Sequence, residues 1–154
     1  MDIQALSEKF GVNAERKQDG GFPVFEKNIR GKRVLLVADR TTEQFLPSVK
    51  GIVERNAAES AAFVLPSPEP VADEETVRRV VEAGRTYDYL LAVGAGTLND
   101  LCKYAGFLTH TPSGVFATAP SMDGFTSGVT PLIEKGFKIT RNAQTVSDVL
   151  MDFD

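Results

Sequence analysis

Apolar runs of strand length alternate with helix-spaced stretches along most of this chain, and that alternation admits few folds. "KRVLLVADR" contains a continuous apolar run from Val34 to Ala38, closed by Asp39, the pattern of a strand buried on both faces. Phe45, Val49, Ile52 and Val53 follow at helical spacing. "AAFVL", Ala61 to Leu65, is a second strand, and "PSPEP" after it is a rigid surface connection. Asp73 is placed to N-cap a helix whose apolar face is Val77, Val80 and Val81, with Gly84 near its end. "YDYLLAV" is a third strand, Leu98, Leu101, Cys102 and Ala105 line the helix after it, and "GVFATA" is a fourth strand. Such alternation predicts an α/β fold, a parallel sheet with helices on both faces. "VTPLI" and "FKIT", joined through Glu134-Lys135-Gly136, predict a C-terminal β-hairpin added to that sheet. "TVSDVLMDFD" begins one further strand. Near the start, Ile3, Leu6 and Phe10 share a helical face, Gly11 is a stop, and "NAERKQDGGFP" reads as polar and turn-rich.

The 154 residues suit one domain, and a hydrophobic share of 42% with 25% charged residues is ordinary for a globular protein. A net charge of −4 with no basic stripe argues against a nucleic-acid partner. No apolar run has the length of a membrane span, and Met1 to Phe10 has no apolar signal core. One cysteine, Cys102, rules out an internal disulfide, so a reducing cytoplasm is expected. A catalytic zinc commonly takes three protein ligands. The single His110, eight residues from Cys102, is a poor start for such a site. A metal, if the function needs one, is not expected to be held by this chain alone.

The stretch "VGAGTLNDLCKY" carries the most chemistry. Gly94 and Gly96 flank a turn between a strand and a helix, where backbone can approach a ligand closely. The helix starting near Thr97 offers unpaired N–H groups and a positive dipole end to an anion. A tight structural turn, with Thr97 as a simple N-cap, explains the same residues. The order differs from the dinucleotide fingerprint: Asp39 precedes the glycines, and the third glycine is missing. Strands one and three can still be neighbours, which brings Asp39 and the glycines to one rim. There Asp39 would accept from ribose hydroxyls and disfavour a 2′-phosphate, with Lys32, Arg33 or Arg40 able to soften that preference. Its alternative is a turn residue or an N-cap. Asp100 and Lys103 read as a surface ion pair, or Lys103 as facing a bound anion. The loop "TAPSMDGFTSG" clusters Thr118, Ser121, Asp123, Thr126 and Ser127 at the same rim. Asp-Gly alone marks a turn, while its place and polarity point to ligand contact.

Together, "VGAGTLNDLCKYAGF" and "ATAPSMDGFTSGVTPLIEKGFKIT" resemble the sn-glycerol-1-phosphate dehydrogenase family of the dehydroquinate synthase-like, iron-containing alcohol dehydrogenase superfamily. "LLVADRTT" and "LPSPEPVADEETV" resemble its earlier segments, so the likeness runs from about Lys32 to Leu150. The resemblance implies an oxidoreductase that uses NAD or NADP to interconvert dihydroxyacetone phosphate and glycerol 1-phosphate. It implies Asp39 on the adenosine ribose and Gly94, Ala95, Gly96, Thr97 and Leu98 around the pyrophosphate. Thr118, Ala119, Pro120 and Ser121 fall on the nicotinamide side, Ser127 on the cofactor, and Asp123 on the substrate hydroxyls. Family members continue into a helical domain that supplies the ligands of a divalent metal, zinc, nickel or iron. Nothing in this sequence matches those ligands. The expectation is therefore a single NAD(P)-binding domain over 1–154, catalytically incomplete without the helical domain and prone to homo-oligomers through its uncovered rim. Its expected partners are a dinucleotide and a small phosphorylated triose. The alternatives are a stand-alone nucleotide- or phosphometabolite-binding module, and a relative of glycerol dehydrogenase or 3-dehydroquinate synthase.

Overall fold

A computed structural model describes residues 3–119, 125 and 127–152. In chain order the elements are α1 (Ile3–Phe10), β1 (Asn13–Arg16), α2 (Pro23–Asn28), β2 (Arg33–Ala38), a 3₁₀ turn (Thr42–Phe45), α3 (Leu46–Asn56) and β3 (Glu59–Val64). There follow α4 (Glu74–Ala83), β4 (Tyr89–Gly94), α5 (Gly96–Thr109), β5 (Ser113–Ala117), β6 (Val129–Glu134), β7 (Phe137–Asn142) and β8 (Asp148–Met151). Six strands form a sheet in the order β1-β8-β5-β4-β2-β3, with every pair parallel. Residues of neighbouring sheet positions point to opposite faces. Along β2, Leu35 and Val37 join the core under α4 and α5, while Val34, Leu36 and Ala38 join the core under α2 and α3. The sheet is thus covered on both faces, as its continuous apolar runs require.

Two expectations need correction. The hairpin β6–β7 is an antiparallel sheet of its own, not an addition to the parallel one. The place beside β5 that a following hairpin would take is occupied by β8. The hairpin instead leans on the approach to α4, where the Ile133 amide donates to Ala72 O at 2.9 Å and Ile133 bridges Asp73. The polar stretch "NAERKQDGGFP" contains β1 and the start of α2. Its buried strand residue is Glu15, which explains the missing apolar signal. Glu15 accepts from the Val24 and Phe25 amides at 2.9 and 2.7 Å and so satisfies the open first turn of α2. The apolar face expected on α1 rests on Ile3, Leu6 and Phe10, whose side chains lie outside the described residues.

A second buried carboxylate closes the amino end of the sheet. Asp148, at the start of β8, is fully enclosed. Its Oδ1 accepts from Asn13 Nδ2 at 2.7 Å and Asn28 Nδ2 at 3.3 Å, and its Oδ2 from the Tyr89 hydroxyl at 2.6 Å. Burial beside this carboxylate pushes the Tyr89 phenol well above its ordinary value. Gly114 has to be glycine because the Tyr89 hydroxyl occupies the space of any Cβ there. Tyr89→Phe strips Oδ2 of its donor inside the protein. The expected cost is about 1–3 kcal/mol, read as a lower urea midpoint at unchanged slope.

Candidate functional site

Parallel pairing sets the carboxyl ends of β2, β4 and β5 side by side. Val37 pairs with Ala92, and Gly94 with Ala117. The Thr118 amide donates to Gly94 O at 3.1 Å, extending that pairing past the strand ends. Asp39, the glycine turn and Thr118 therefore share one rim, where ligands of open α/β sheets bind.

The two glycines are there for different reasons. Gly94 is buried, and a Cβ on it would come within 2.5 Å of Leu98 Cδ1, so it lets the first turn of α5 close down on β4. Gly96 sits at φ +42° with nothing within 4 Å of a Cβ position, so its need is the left-handed backbone alone. Ala95, extended at φ −149°, is the residue before α5, and no side chain caps the helix. Thr97 is thus one step inside the helix and not its N-cap. The first turn carries no acidic residue, so an anion meets no opposing charge on the helix there. The Leu98 side chain is buried in the core, which leaves only its backbone facing the rim, and its amide already donates to Ala95 O at 3.1 Å.

Asp39 is a turn residue, as its alternative reading had it. Its Oδ1 accepts from the Thr41 and Thr42 amides, both at 2.8 Å, and its own amide donates to Thr42 Oγ1 at 3.0 Å. The turn uses one carboxylate oxygen and fixes the group in place, with Oδ2 outside it. Of the cations expected to modify it, Arg40 pairs with Glu43 at 3.4 Å. Arg33 binds Asp88 at the opposite end of β2, about 20 Å away, and Lys32 precedes it. Neither can act on a ribose at Asp39.

In the loop, Ser127 Oγ accepts from the Val129 amide at 3.1 Å and reaches Val129 O at 3.3 Å. Phe125 is buried and packs in the core under α4 and α5. Thr118 is half-buried and Ala119 exposed. Pro120, Ser121, Asp123 and Thr126 lie outside the described residues.

Asp100 and Lys103 do not form a surface pair. Lys103 is fully buried, and its ammonium donates to Val129 O at 3.0 Å. Burial lowers its pKa, against the opposing charge of Asp100. Asp100 is half-buried, and burial raises its pKa, eased by the Thr130 hydroxyl and by Lys103. The sequence reading missed a groove of about 270 Å³ between α5 and the hairpin. Pro70, Val71, Thr97, Asp100, Pro131 and Lys138 are among its walls. The signal for it was the alternation in "VTPLIE": Val129, Pro131 and Ile133 face outward while Thr130 and Leu132 are buried.

Other chemical candidates lie elsewhere. His110 is exposed and closes the far end of α5 in left-handed backbone, about 20 Å along the axis from Gly96. Cys102 is buried, and burial pushes its thiol up to about 12. Among the described residues no three His, Cys, Asp or Glu side chains gather where they could hold a metal ion.

A parallel sheet with helices on both faces, a glycine turn and an uncapped helix start at its carboxyl rim defines an α/β protein of the open-sheet class. The family model of iron-containing alcohol dehydrogenases matches residues 17–154, and the chain belongs to that family. Among proteins of similar sequence, glycerol-1-phosphate dehydrogenase [NAD(P)+] of Geobacillus thermodenitrificans is 33% identical over 130 residues, 80% of this chain and 32% of the relative. The enzyme of the same name from Bacillus licheniformis is 32% identical over 148 residues, 94% of this chain and 36% of the relative. The chain thus spans about a third of the length of these curated relatives. The iron-containing alcohol dehydrogenase of Thermotoga maritima shares the fold with a TM-score of 0.73 at 16% identity, over 92% of this chain and 46% of that one. A 1,3-propanediol oxidoreductase shares it with a TM-score of 0.77 at 16% identity, over 91% of this chain and 44% of that one.

The two glycine roles separate in a double-mutant cycle. Gly94→Ala is expected to cost about 1–3 kcal/mol by overpacking against Leu98, and Gly96→Ala about 1–2 kcal/mol by backbone strain. Combined with Leu98→Ala, the first is expected to cost less than the sum and the second to add. Chemical denaturation of the single and double variants checks both.

Proposed function

We propose that residues 1–154 form the dinucleotide-binding part of an NAD(P)-dependent dehydrogenase acting on glycerol 1-phosphate or dihydroxyacetone phosphate. The observation that carries this reading is the shared rim of Asp39, Gly94–Leu98 and Thr118. The names of the relatives supply the substrate class. The pyrophosphate lies on the backbone of Gly94, Ala95, Gly96, Thr97 and Leu98, at the positive end of α5. Asp39 Oδ2 takes the ribose hydroxyls, and its charge favours NAD over NADP. The roles assigned by family likeness are the nicotinamide for Thr118, Ala119, Pro120 and Ser121, the cofactor for Ser127 and the substrate hydroxyls for Asp123.

Reduction moves a hydride from the dihydronicotinamide to the ketone carbon and a proton to the carbonyl oxygen. The iron of the family name would polarise that carbonyl when bound. The described residues do not gather a ligand set for it, so the role assigned to this stretch is to bind and orient the dinucleotide.

The test is a titration of the 154-residue chain with NADH, followed by nicotinamide emission; the chain has no Trp to interfere. Saturable binding in the range of ~0.1–1 mM is expected, because half a cleft makes only part of the contacts. Gly96→Val is expected to abolish it while circular dichroism stays folded, and Asp39→Asn to narrow the preference for NADH over NADPH. No binding at several times that range, or binding indifferent to Gly96→Val, refutes the reading.

A further inference from the structure

Lys103 stands out because its site is one for a hydrophobic residue. It lies on the same buried helix as Leu101, Cys102 and Ala105, and its side chain is as fully enclosed as theirs. Enclosing an ammonium carries a large desolvation cost unless it is well bonded. One bond of its ammonium leaves α5. It crosses to Val129 O, the first carbonyl of β6, immediately after the polar loop. Ser127 Oγ approaches the same carbonyl at 3.3 Å. The far end of β6 is held separately, by the Ile133 amide on Ala72 O. The outward face of β6 is therefore suspended between two anchors. The one nearer the glycine turn starts on α5 about 10 Å along its axis from Gly96.

We propose that Lys103 is a positioning residue for the dinucleotide: it holds the β6 wall of the groove at the distance from the glycine turn that lets one ligand touch both. This rests on the dinucleotide reading above. The bond to Val129 O ties α5 to the start of the strand whose Pro131 and Ile133 form that wall. A ligand that spans turn and wall depends on that spacing, and a ligand that touches only the turn does not.

The experiment compares NADH, followed by nicotinamide emission, with inorganic pyrophosphate, followed by the Gly96 amide shift in ¹⁵N spectra. Both are titrated into the wild-type chain and Lys103→Met at a temperature where circular dichroism shows both folded. The expected result is a rise in Kd for NADH of about tenfold or more, with the pyrophosphate Kd unchanged within about twofold. Equal weakening of both ligands overturns the inference, because Lys103 then only supports α5. Unchanged NADH affinity overturns it too. A wild-type chain that fails to bind NADH takes down the dinucleotide reading along with it, whereas a wild-type chain that binds and a variant that binds equally well remove this inference alone. If Lys103→Met does not fold, Lys103→Gln, one atom shorter and uncharged, is expected to show the same selective loss for NADH.

Discussion

Parallel pairing of β2 with β4 and of β4 with β5 is the constraint on which the rest of the site depends. Parallel strands need long crossovers, and those crossovers are the helices that cover the sheet. Every strand then ends at the same rim, so Asp39 and Thr118, far apart in sequence, flank one glycine turn. No side chain has to reach across the fold to build this arrangement. It follows from backbone hydrogen bonding, and the glycines only have to leave it open.

The stability behind the rim comes from two unlike sources. Aliphatic side chains of β2, β4 and β5 fill both faces of the central sheet, each worth about 1.5–3 kcal/mol when buried. The β1 and β8 side is held differently, by two buried carboxylates, Glu15 and Asp148, joined through Asn13. The Val24 and Phe25 amides, the Asn13 and Asn28 side chains and the Tyr89 hydroxyl that bond them are neutral donors. Such bonding is directional, so it fixes where β1, α2 and β8 sit, which apolar packing alone leaves looser.

Much of this was legible in the sequence because buried parallel strands announce themselves. Val34–Ala38 and Tyr89–Val93 could hardly be anything else, and Asp73 caps α4 through the Thr76 amide and hydroxyl. β1 was not legible, because its inward residue is a glutamate that accepts from backbone amides nine and ten residues later. The hairpin's separate sheet was hidden for a topological reason: nothing local in "VTPLI" says that β8 already occupies the strand beside β5. At the rim, the glycines were visible but their division of labour was not. Gly94 answers to Leu98 four residues on, and Gly96 to its own backbone angle. The surface-pair reading of Asp100 and Lys103 failed because it follows from i to i+3 spacing alone, and only the packing of β6 over α5 puts Lys103 inside.

The place of β8 bears on how this sheet comes into being. The strand order sets β1, from residue 13, against β8, from residue 148, and both against β5 only through β8. A chain emerging from its amino end makes β2, β3, β4 and β5 with partners already at hand. β1 waits, with Glu15 and Asn13 exposed, until β8, 135 residues after Asn13, has been synthesised. β8 is a keystone, and its insertion between β5 and β1 extends a four-stranded sheet to six strands. Such late, long-range pairing is slow to form, and in the interval the exposed edge of β5 is the surface most open to a wrong partner.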